Sequence, residues 1–219
     1  MIPLRDVIPS RTTPYITVTI IALNAAAWAF ELTLPLDVLP SFLQAYGVVP
    51  ADFRAPTLLT SMFLHGSWSH VIGNMWYLWI FGDNVEDRVG HGGFIVFYLL
   101  CGVLAAVGQI LIDPASTLPT IGASGAIAGV MGAYFVLYPR SRVLTLIPFI
   151  FLQIVEVPAT VLLGFWFLMQ LFSAGAIAVT AASHGSGGVA FAAHVAGFVV
   201  GMVGVLVFRK REDADSRWT

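Results

Sequence analysis

The sequence predicts an all-α membrane protein built as a bundle of six transmembrane helices. Of its 219 residues, 58% are hydrophobic and only 10% are charged, and the mean hydropathy is +0.87. Soluble domains carry roughly 25% charged residues, so this chain has too little polar surface to cover a water-facing globule. The net charge of −2 and the single Cys101 give no indication of nucleic-acid binding, of an internal disulfide or of a cysteine-based metal site.

Six apolar segments set the number of predicted helices. Each has roughly the length that a helix needs to cross the hydrocarbon core of a bilayer. The first follows residues 1–14, and its small residues lie inside the apolar run, so we interpret it as an uncleaved span and not as a signal peptide. The six segments are 15–35, 67–83, 91–112, 122–138, 157–173 and 189–208.

A further apolar stretch, residues 143–155, is too short to cross a bilayer as a helix. Pro148 interrupts it and Pro158 follows it. Proline removes a backbone donor and breaks a helix interior. We therefore expect an interfacial or re-entrant hairpin here and not a seventh span.

The basic residues give an orientation to the six spans. With the N-terminus in the cytoplasm, nine of the ten Lys and Arg residues lie inside and only Arg54 lies outside. The positive-inside rule expects this distribution. The predicted organisation is a cytoplasmic N-terminal segment (1–14), a six-span domain (15–208) and a cytoplasmic C-terminal tail (209–219). The inside residues are Arg5, Arg11, Arg88, Arg140, Arg142, Arg209, Lys210, Arg211 and Arg217.

Four polar side chains fall at a similar depth in three different spans. His70 and Asn74 share one face of the second span, Ser124 lies in the first turn of the fourth, and His194 lies near the start of the sixth. At 1.5 Å per residue, all four lie within about 10 Å of the outer face. Polar groups inside a membrane are costly, so their coincidence indicates a functional site.

Small residues accompany the serine and the sixth-span histidine. Gly125 and Gly129 follow Ser124, while Gly197 and Gly201 follow His194 at helical spacing. Such small-residue faces let helix backbones approach closely in lipid. We therefore expect these glycines to support the site by bringing Ser124 within hydrogen-bond range of His194.

A serine beside a neutral imidazole is the minimum for an activated nucleophile. Asn74, His70 and the backbone around Gly122 could supply donors to a tetrahedral oxyanion. We expect no Asp or Glu at that depth, so Ser124 and His194 would act as a dyad. Other intramembrane chemistries fit less well, because the chain has no HExxH motif, no Asp inside a span and no Lys except Lys210 in the tail.

Each of these residues also has a structural interpretation. Serine is common at membrane helix interfaces, the hydrolase motif GxSxG is not present, and His70 with Asn74 could form a packing hydrogen bond. We expect His65 and Glu86 to have structural roles. Gln109 and Gln170 are interpreted as packing hydrogen bonds.

Three motifs, in order, resemble those of the rhomboid family of intramembrane serine proteases. They are "FLHGSWSHVIGNMWYLWIFGDNVEDRVG" (63–90), "GASG" (122–125) and "AHVAGFVVG" (193–201), and the likeness covers about residues 15–208. The resemblance implies Ser124 as nucleophile, His194 as base, and an outward-facing water-filled cavity. It implies no cofactor or metal, and substrates that are single-span membrane proteins cut at or near the membrane surface.

The resemblance also implies a gate in the fifth span near Trp166, a cap loop at 174–188 and a bacterial inner-membrane location with the site facing the periplasm. In some members an aromatic residue four positions after the serine packs on the histidine, but here that position is Ala128. The alternative function is a non-catalytic protein that binds membrane clients on the same scaffold. A small transporter is a further alternative, but its polar groups would lie nearer the midplane.

Overall fold

The computed structural model of the protein describes residues 1–148, 152–180 and 190–209. The predicted cap loop (174–188) and C-terminal tail (209–219) therefore lie largely outside the described residues. The described chain is mostly helical. Its α-helices are α1 (Tyr15–Glu31), α2 (Leu39–Tyr46), α3 (Thr57–Thr60), α4 (Trp68–Val89), α5 (His91–Ile112), α6 (Ser124–Leu137), α7 (Ala159–Thr180) and α8 (Phe191–Phe208).

The long helices α1, α4, α5, α6, α7 and α8 coincide with the six predicted spans. Among the described residues, α5 and α8 are both long and apolar enough to cross a membrane on length and composition. Helices α1 and α6 and residues 159–174 of α7 are apolar but shorter. An all-α membrane architecture fits these helices, and the count of six crossings stays a prediction.

Helix α6 is the central helix of the bundle, with every residue from Gly125 to Tyr134 buried. It packs against α8, and both helices contribute glycines to the contact. A Cβ atom added to Gly197 would overlap the carbonyl oxygen of Gly125, and one added to Gly201 would overlap that of Gly129. The two backbones therefore touch directly, as the small-residue faces of the sequence predict.

A three-stranded antiparallel sheet lies beside the helices, in the order β1 (Ile2–Asp6), β2 (Arg142–Pro148), β3 (Leu152–Pro158). The predicted hairpin at 143–155 is thus a pair of β-strands. Strand β1 was not predicted, because its five residues include Pro3 and show no pattern that stands out alone. It forms by pairing with β2, more than 130 residues away, so the all-α prediction is incomplete here.

Helix α4 extends to Val89, beyond the predicted end of its span at residue 83. Its last turns carry polar side chains that bind the N-terminal segment. The Glu86 carboxylate accepts hydrogen bonds from the backbone N–H groups of Ile16 (3.0 Å) and Thr17 (2.8 Å) and from the Thr17 hydroxyl (2.7 Å). These N–H groups belong to the first turn of α1, which lacks intrahelical acceptors. Glu86 therefore caps α1, which is a structural role of the kind expected.

Asp6, at the end of β1, is held between α4 and α6. Its Oδ2 accepts hydrogen bonds from the Tyr134 hydroxyl (2.7 Å) and from Asn84 Nδ2 (2.9 Å). Burial, helped by the nearby Asp83 carboxylate, raises the pKa of Asp6 from 3.8 to about 6. The folded protein therefore binds a proton at Asp6 more tightly than the unfolded chain does.

We expect the Asp6→Asn variant to be more thermostable than the wild type at pH 7.5 and equally stable at pH 4. Because the folded pKa of Asp6 is raised, its contribution to stability is complete below pH 3.8 and is lost as the pH rises through about 6. Asparagine keeps an acceptor oxygen for Tyr134 and cannot ionise. Thermal unfolding of both proteins in detergent between pH 4 and 8 measures this, and a constant difference in melting temperature across that range would contradict it.

Candidate active site

A cavity of about 750 Å³ lies among α4, α6, α7 and α8, and its walls carry the four polar residues picked out by the sequence. His70 and Asn74 reach it from α4, Ser124 from the start of α6, and His194 from the start of α8. The three motifs thus meet in space. Each of these side chains lies in the first two turns of its helix, and the starts of these helices surround the same cavity.

Ser124 and His194 form a direct contact, with the serine Oγ 2.7 Å from the imidazole Nε2. Ser124 is the first residue of α6, and His194 lies in the first turn of α8. Both helix starts are brought together by the glycine contacts that continue along α6 and α8. A hydroxyl at this distance from an imidazole nitrogen can transfer its proton as the oxygen attacks an electrophile.

The other imidazole nitrogen has a partner that the sequence interpretation underrated. Gln170 Oε1, on α7, lies 2.7 Å from His194 Nδ1. An amide oxygen only accepts, so Nδ1 must carry the proton and Nε2 presents its lone pair to Ser124. The expected hydrogen bond of Gln170 between helices is thus made to His194 itself. A polar side chain within the apolar α7 was the signal that could have indicated this.

Trp166 also contacts His194, with the two ring centroids 5.8 Å apart and an interplanar angle of 36°. It lies one turn before Gln170 on the same face of α7. Ala128, at the position where some rhomboids place an aromatic residue, is buried, and its side chain is a single methyl group. The aromatic contact to His194 comes instead from α7.

Asn74 is held in place by His65. The Nδ2 atom of Asn74 lies 3.0 Å from His65 Nε2, and His65 Nδ1 lies 3.3 Å from the carbonyl oxygen of Phe63. A carbonyl accepts, so Nδ1 is protonated and Nε2 accepts from the Asn74 amide. Burial lowers the pKa of His65 to about 4, so this imidazole is neutral near pH 7. One N–H of Asn74 is thereby fixed, and the other is available to a ligand.

Gly122 lies where the donors of α4 converge. A Cβ atom added there would be 2.6 Å from His70 Nε2 and 3.6 Å from Asn74 Nδ2, and the φ angle of +117° also favours glycine. Among the donors expected from the backbone around Gly122, its own N–H is already used, because it donates to the carbonyl oxygen of Ser61 at 2.8 Å. The backbone donors left near this point are those at the start of α6, which have no intrahelical acceptors.

A carboxylate lies closer to the site than the sequence suggested. Glu31, the last residue of α1, is buried and accepts the backbone N–H of His65 at 3.2 and 3.3 Å. The expectation that no acidic side chain lies at that depth is therefore wrong. Glu31 ends α1 and lies four residues before the predicted end of the first span at residue 35, where a carboxylate can be either solvated or buried. The Glu31 carboxylate accepts from the main chain at His65 and is not the partner of His194. The group that contacts His194 Nδ1 is the side-chain amide of Gln170.

Metal ligands are not grouped in the described part of the chain, where no cluster of three or more His, Cys, Asp or Glu side chains could hold an ion. The arrangement of Ser124, His194, Asn74 and His70 provides instead a hydroxyl, a base and nearby hydrogen-bond donors. Together these groups suit acyl transfer through a tetrahedral intermediate.

Comparison with known proteins identifies the family to which the chain is similar. The Rhomboid domain family matches residues 53–211. Rhomboid-like protein 11, chloroplastic, of Arabidopsis thaliana is 31% identical over 48% of this chain and 39% of its own length. In Bacillus subtilis, Rhomboid protease GluP is 38% identical over 35% of this chain and 14% of its own length, and Putative rhomboid protease YdcA is 28% identical over 52% and 58%. The chain spans less than two thirds of the length of each of these relatives.

Proposed function

The chain belongs to the rhomboid family of membrane proteins, and from this premise we propose that it is a serine endopeptidase that cleaves transmembrane proteins within the membrane. The observation that carries the proposal is the 2.7 Å separation of Ser124 Oγ and His194 Nε2 inside a cavity. In this proposal Ser124 is the nucleophile and His194 the general base. Asn74 and His70 stabilise the oxyanion, together with backbone N–H groups at the start of α6.

Acylation begins when Ser124 Oγ attacks the carbonyl carbon of the scissile peptide bond and passes its proton to His194 Nε2. The carbonyl oxygen becomes an oxyanion, for which Asn74 Nδ2 and His70 Nε2–H are donors. The intermediate then collapses, the C–N bond breaks, and His194 Nε2–H gives its proton to the leaving amine. The products are a free amine and an ester on Ser124.

Deacylation repeats these steps with water. A water molecule in the cavity gives a proton to His194 Nε2 as its oxygen attacks the ester carbon. When the second tetrahedral intermediate collapses, the C–Oγ bond breaks and Ser124 recovers the proton from Nε2. The products are a free carboxylic acid and the unmodified enzyme, so one water is consumed for each peptide bond.

The proposed substrates are single-span membrane proteins, because the cavity lies among helices whose outer surfaces are apolar. Exposed large side chains on α7 include Phe165, Leu168 and Phe172. Such a surface suits contact with lipid or with another apolar helix. We propose further that the chain lies in a bacterial inner membrane, with its termini in the cytoplasm and its site on the opposite side. The distribution of basic residues supports this orientation.

A fluorophosphonate probe tests the proposal directly, because it forms a covalent bond only with an activated serine. We expect the purified protein in detergent to be labelled, and the label to be absent from the Ser124→Ala variant. Ser69→Ala is the matched control, since Ser69 also lines the cavity but the partner of its hydroxyl is the hydroxyl of Ser67, at 3.1 Å. An unlabelled wild type would favour the alternative, a non-catalytic protein that binds membrane clients.

We expect Asn74→Ala to lower kcat by about 10²–10³-fold with a smaller change in KM, as removal of an oxyanion donor does. The amide contributes mainly when the oxyanion forms, so the loss falls on the transition state. Hydrolysis of a labelled transmembrane substrate in liposomes measures both constants. Asn24→Ala, which removes a buried asparagine bonded to Ile20 in α1, is the control for general destabilisation. Unchanged turnover in Asn74→Ala would remove Asn74 from the oxyanion site.

A further inference from the structure

We infer that Gln170 is a positioning residue for His194, as the third member of a chain of hydrogen bonds that runs from Ser124 through His194 to Gln170. The inference rests on the proposed function, because it assigns Gln170 a part in the same reaction. It is carried by two hydrogen bonds of 2.7 Å, one on each nitrogen of a single buried imidazole.

The contact with Gln170 favours one tautomer of His194. A neutral histidine has one N–H, and it can serve Ser124 as a base only if Nε2 is unprotonated. Gln170 Oε1 accepts from Nδ1 and so stabilises this tautomer over the one in which Nε2 carries the proton. In the other tautomer Nδ1 would be an acceptor facing Oε1, so the Gln170 amide would have to turn over and present its NH2 group before a hydrogen bond could form there.

The orientation of the His194 ring is also fixed. Hydrogen bonds at both nitrogens fix the direction of the imidazole plane, and Trp166 packs on its side at 5.8 Å. Gln170 and Trp166 lie four residues apart on α7, so one helix face supplies both constraints. Ala128 supplies neither, which accounts for how the histidine is held without an aromatic side chain on α6.

The hydrogen bond between His194 and Gln170 should strengthen in the transition state. When His194 takes the proton of Ser124, its Nδ1–H becomes part of a cation, and the hydrogen bond to Gln170 becomes charge-assisted and stronger. An interaction that is stronger in the transition state than in the ground state raises kcat rather than lowering KM. Gln170 touches neither substrate nor the reacting atoms, so its effect is transmitted through His194.

Three variants of the protein, assayed in liposomes on a labelled transmembrane substrate, test the inference. Gln170→Met keeps the length of the side chain but has no acceptor oxygen, and Gln170→Glu keeps an acceptor. Met169→Ala is the matched control, because Met169 is the neighbouring residue of α7 and points outward. We expect Gln170→Met to lower kcat by about 10- to 100-fold, which is the range for loss of one buried hydrogen bond that strengthens in the transition state.

We expect KM to change by less than about threefold in Gln170→Met, since substrate binding in the ground state does not use this bond. Gln170→Glu should recover most of the lost kcat, and Met169→Ala should stay within about twofold of the wild type, as a surface change does. Equal kcat in Gln170→Met and the wild type overturns the inference. So does an equal loss in Gln170→Met and Gln170→Glu when thermal unfolding shows that both are folded.

A spectroscopic measurement separates positioning from simple stability. In ¹⁵N spectra of protein labelled at histidine, the wild type should show His194 with its proton on Nδ1, and Gln170→Met should show a mixture of tautomers. A variant that only loosened packing would keep the wild-type signal. If the wild-type protein itself cleaves nothing and takes no fluorophosphonate label, the proposed function fails; if it cleaves and Gln170→Met cleaves equally well, the inference alone fails.

Discussion

Ser124→Ala is expected to abolish cleavage of a transmembrane substrate, with kcat falling by about 10⁴–10⁶-fold, as removal of a nucleophile does in serine hydrolases. Alanine leaves no atom that can form the acyl bond, and the water that remains in the cavity is a far weaker nucleophile. The change is small in volume, and the first turn of α6 is otherwise unaltered. The measurement is turnover in liposomes, with thermal unfolding as the check that the variant is folded.

His194→Ala and the double variant sharpen this prediction. Because the base acts only through the nucleophile, His194→Ala should reduce kcat to a similar degree, and the double variant should be no slower than Ser124→Ala alone. Additive losses would mean that the two residues act independently. Turnover by Ser124→Ala near the wild-type rate would show that the hydrolytic site lies elsewhere.

Gly201→Ala is expected to lower the free energy of unfolding by about 1–3 kcal/mol, the usual cost of an extra methyl group in a packed core. The added Cβ would overlap the carbonyl oxygen of Gly129, which is backbone and cannot rotate away. Helices α6 and α8 must then separate, and Ser124 and His194 lie at the ends of these two helices. Since a misplacement of about 1 Å can cost 10²-fold in rate, we also expect kcat to fall by about that factor.

Gly164→Ala provides the control for this substitution. Gly164 lies inside α7, and an added Cβ would be 3.7 Å from a ring carbon of Phe135, an ordinary contact. Alanine is the better helix former, so this variant should be as stable as the wild type or slightly more stable. Denaturant or thermal unfolding of the two variants in the same detergent gives the comparison. Equal stability of Gly201→Ala and the wild type would mean that α6 and α8 do not depend on direct backbone contact.

The sequence was most informative about features that can be recognised from the residues of a single helix. Ser124 and His194 were predictable because polar groups inside a membrane are costly and therefore rare. The glycines that follow them were predictable because they recur at helical spacing, as in close helix contacts in lipid. The short distance between Ser124 and His194 followed from these faces. The hairpin at 143–155 was also predictable, because its length and Pro148 exclude a span.

Other features depend on which parts of the chain meet, and sequence reasoning missed them. Strand β1 exists only because β2 offers it a partner. Gln170 contacts His194 because its side chain points from α7 to that ring, a direction that spacing along α7 does not give. Glu31 lies at a helix end, where a carboxylate can be either solvated or buried, and here it is buried against His65. In each case a tertiary contact decides the role of a locally ambiguous residue.

The joint between the sheet and α7 has a mechanical consequence. Strand β3 ends at Pro158 and α7 begins at Ala159, so the sheet, anchored by β1 and β2, fixes one end of this helix. Gln170 lies eleven residues along α7, about 17 Å from that joint, and a tilt of about 10° would move it by about 3 Å, enough to break its bond to His194. A substitution in the three strands that tilted α7 would therefore be expected to weaken the hydrogen bond on His194, although these strands are remote from Ser124.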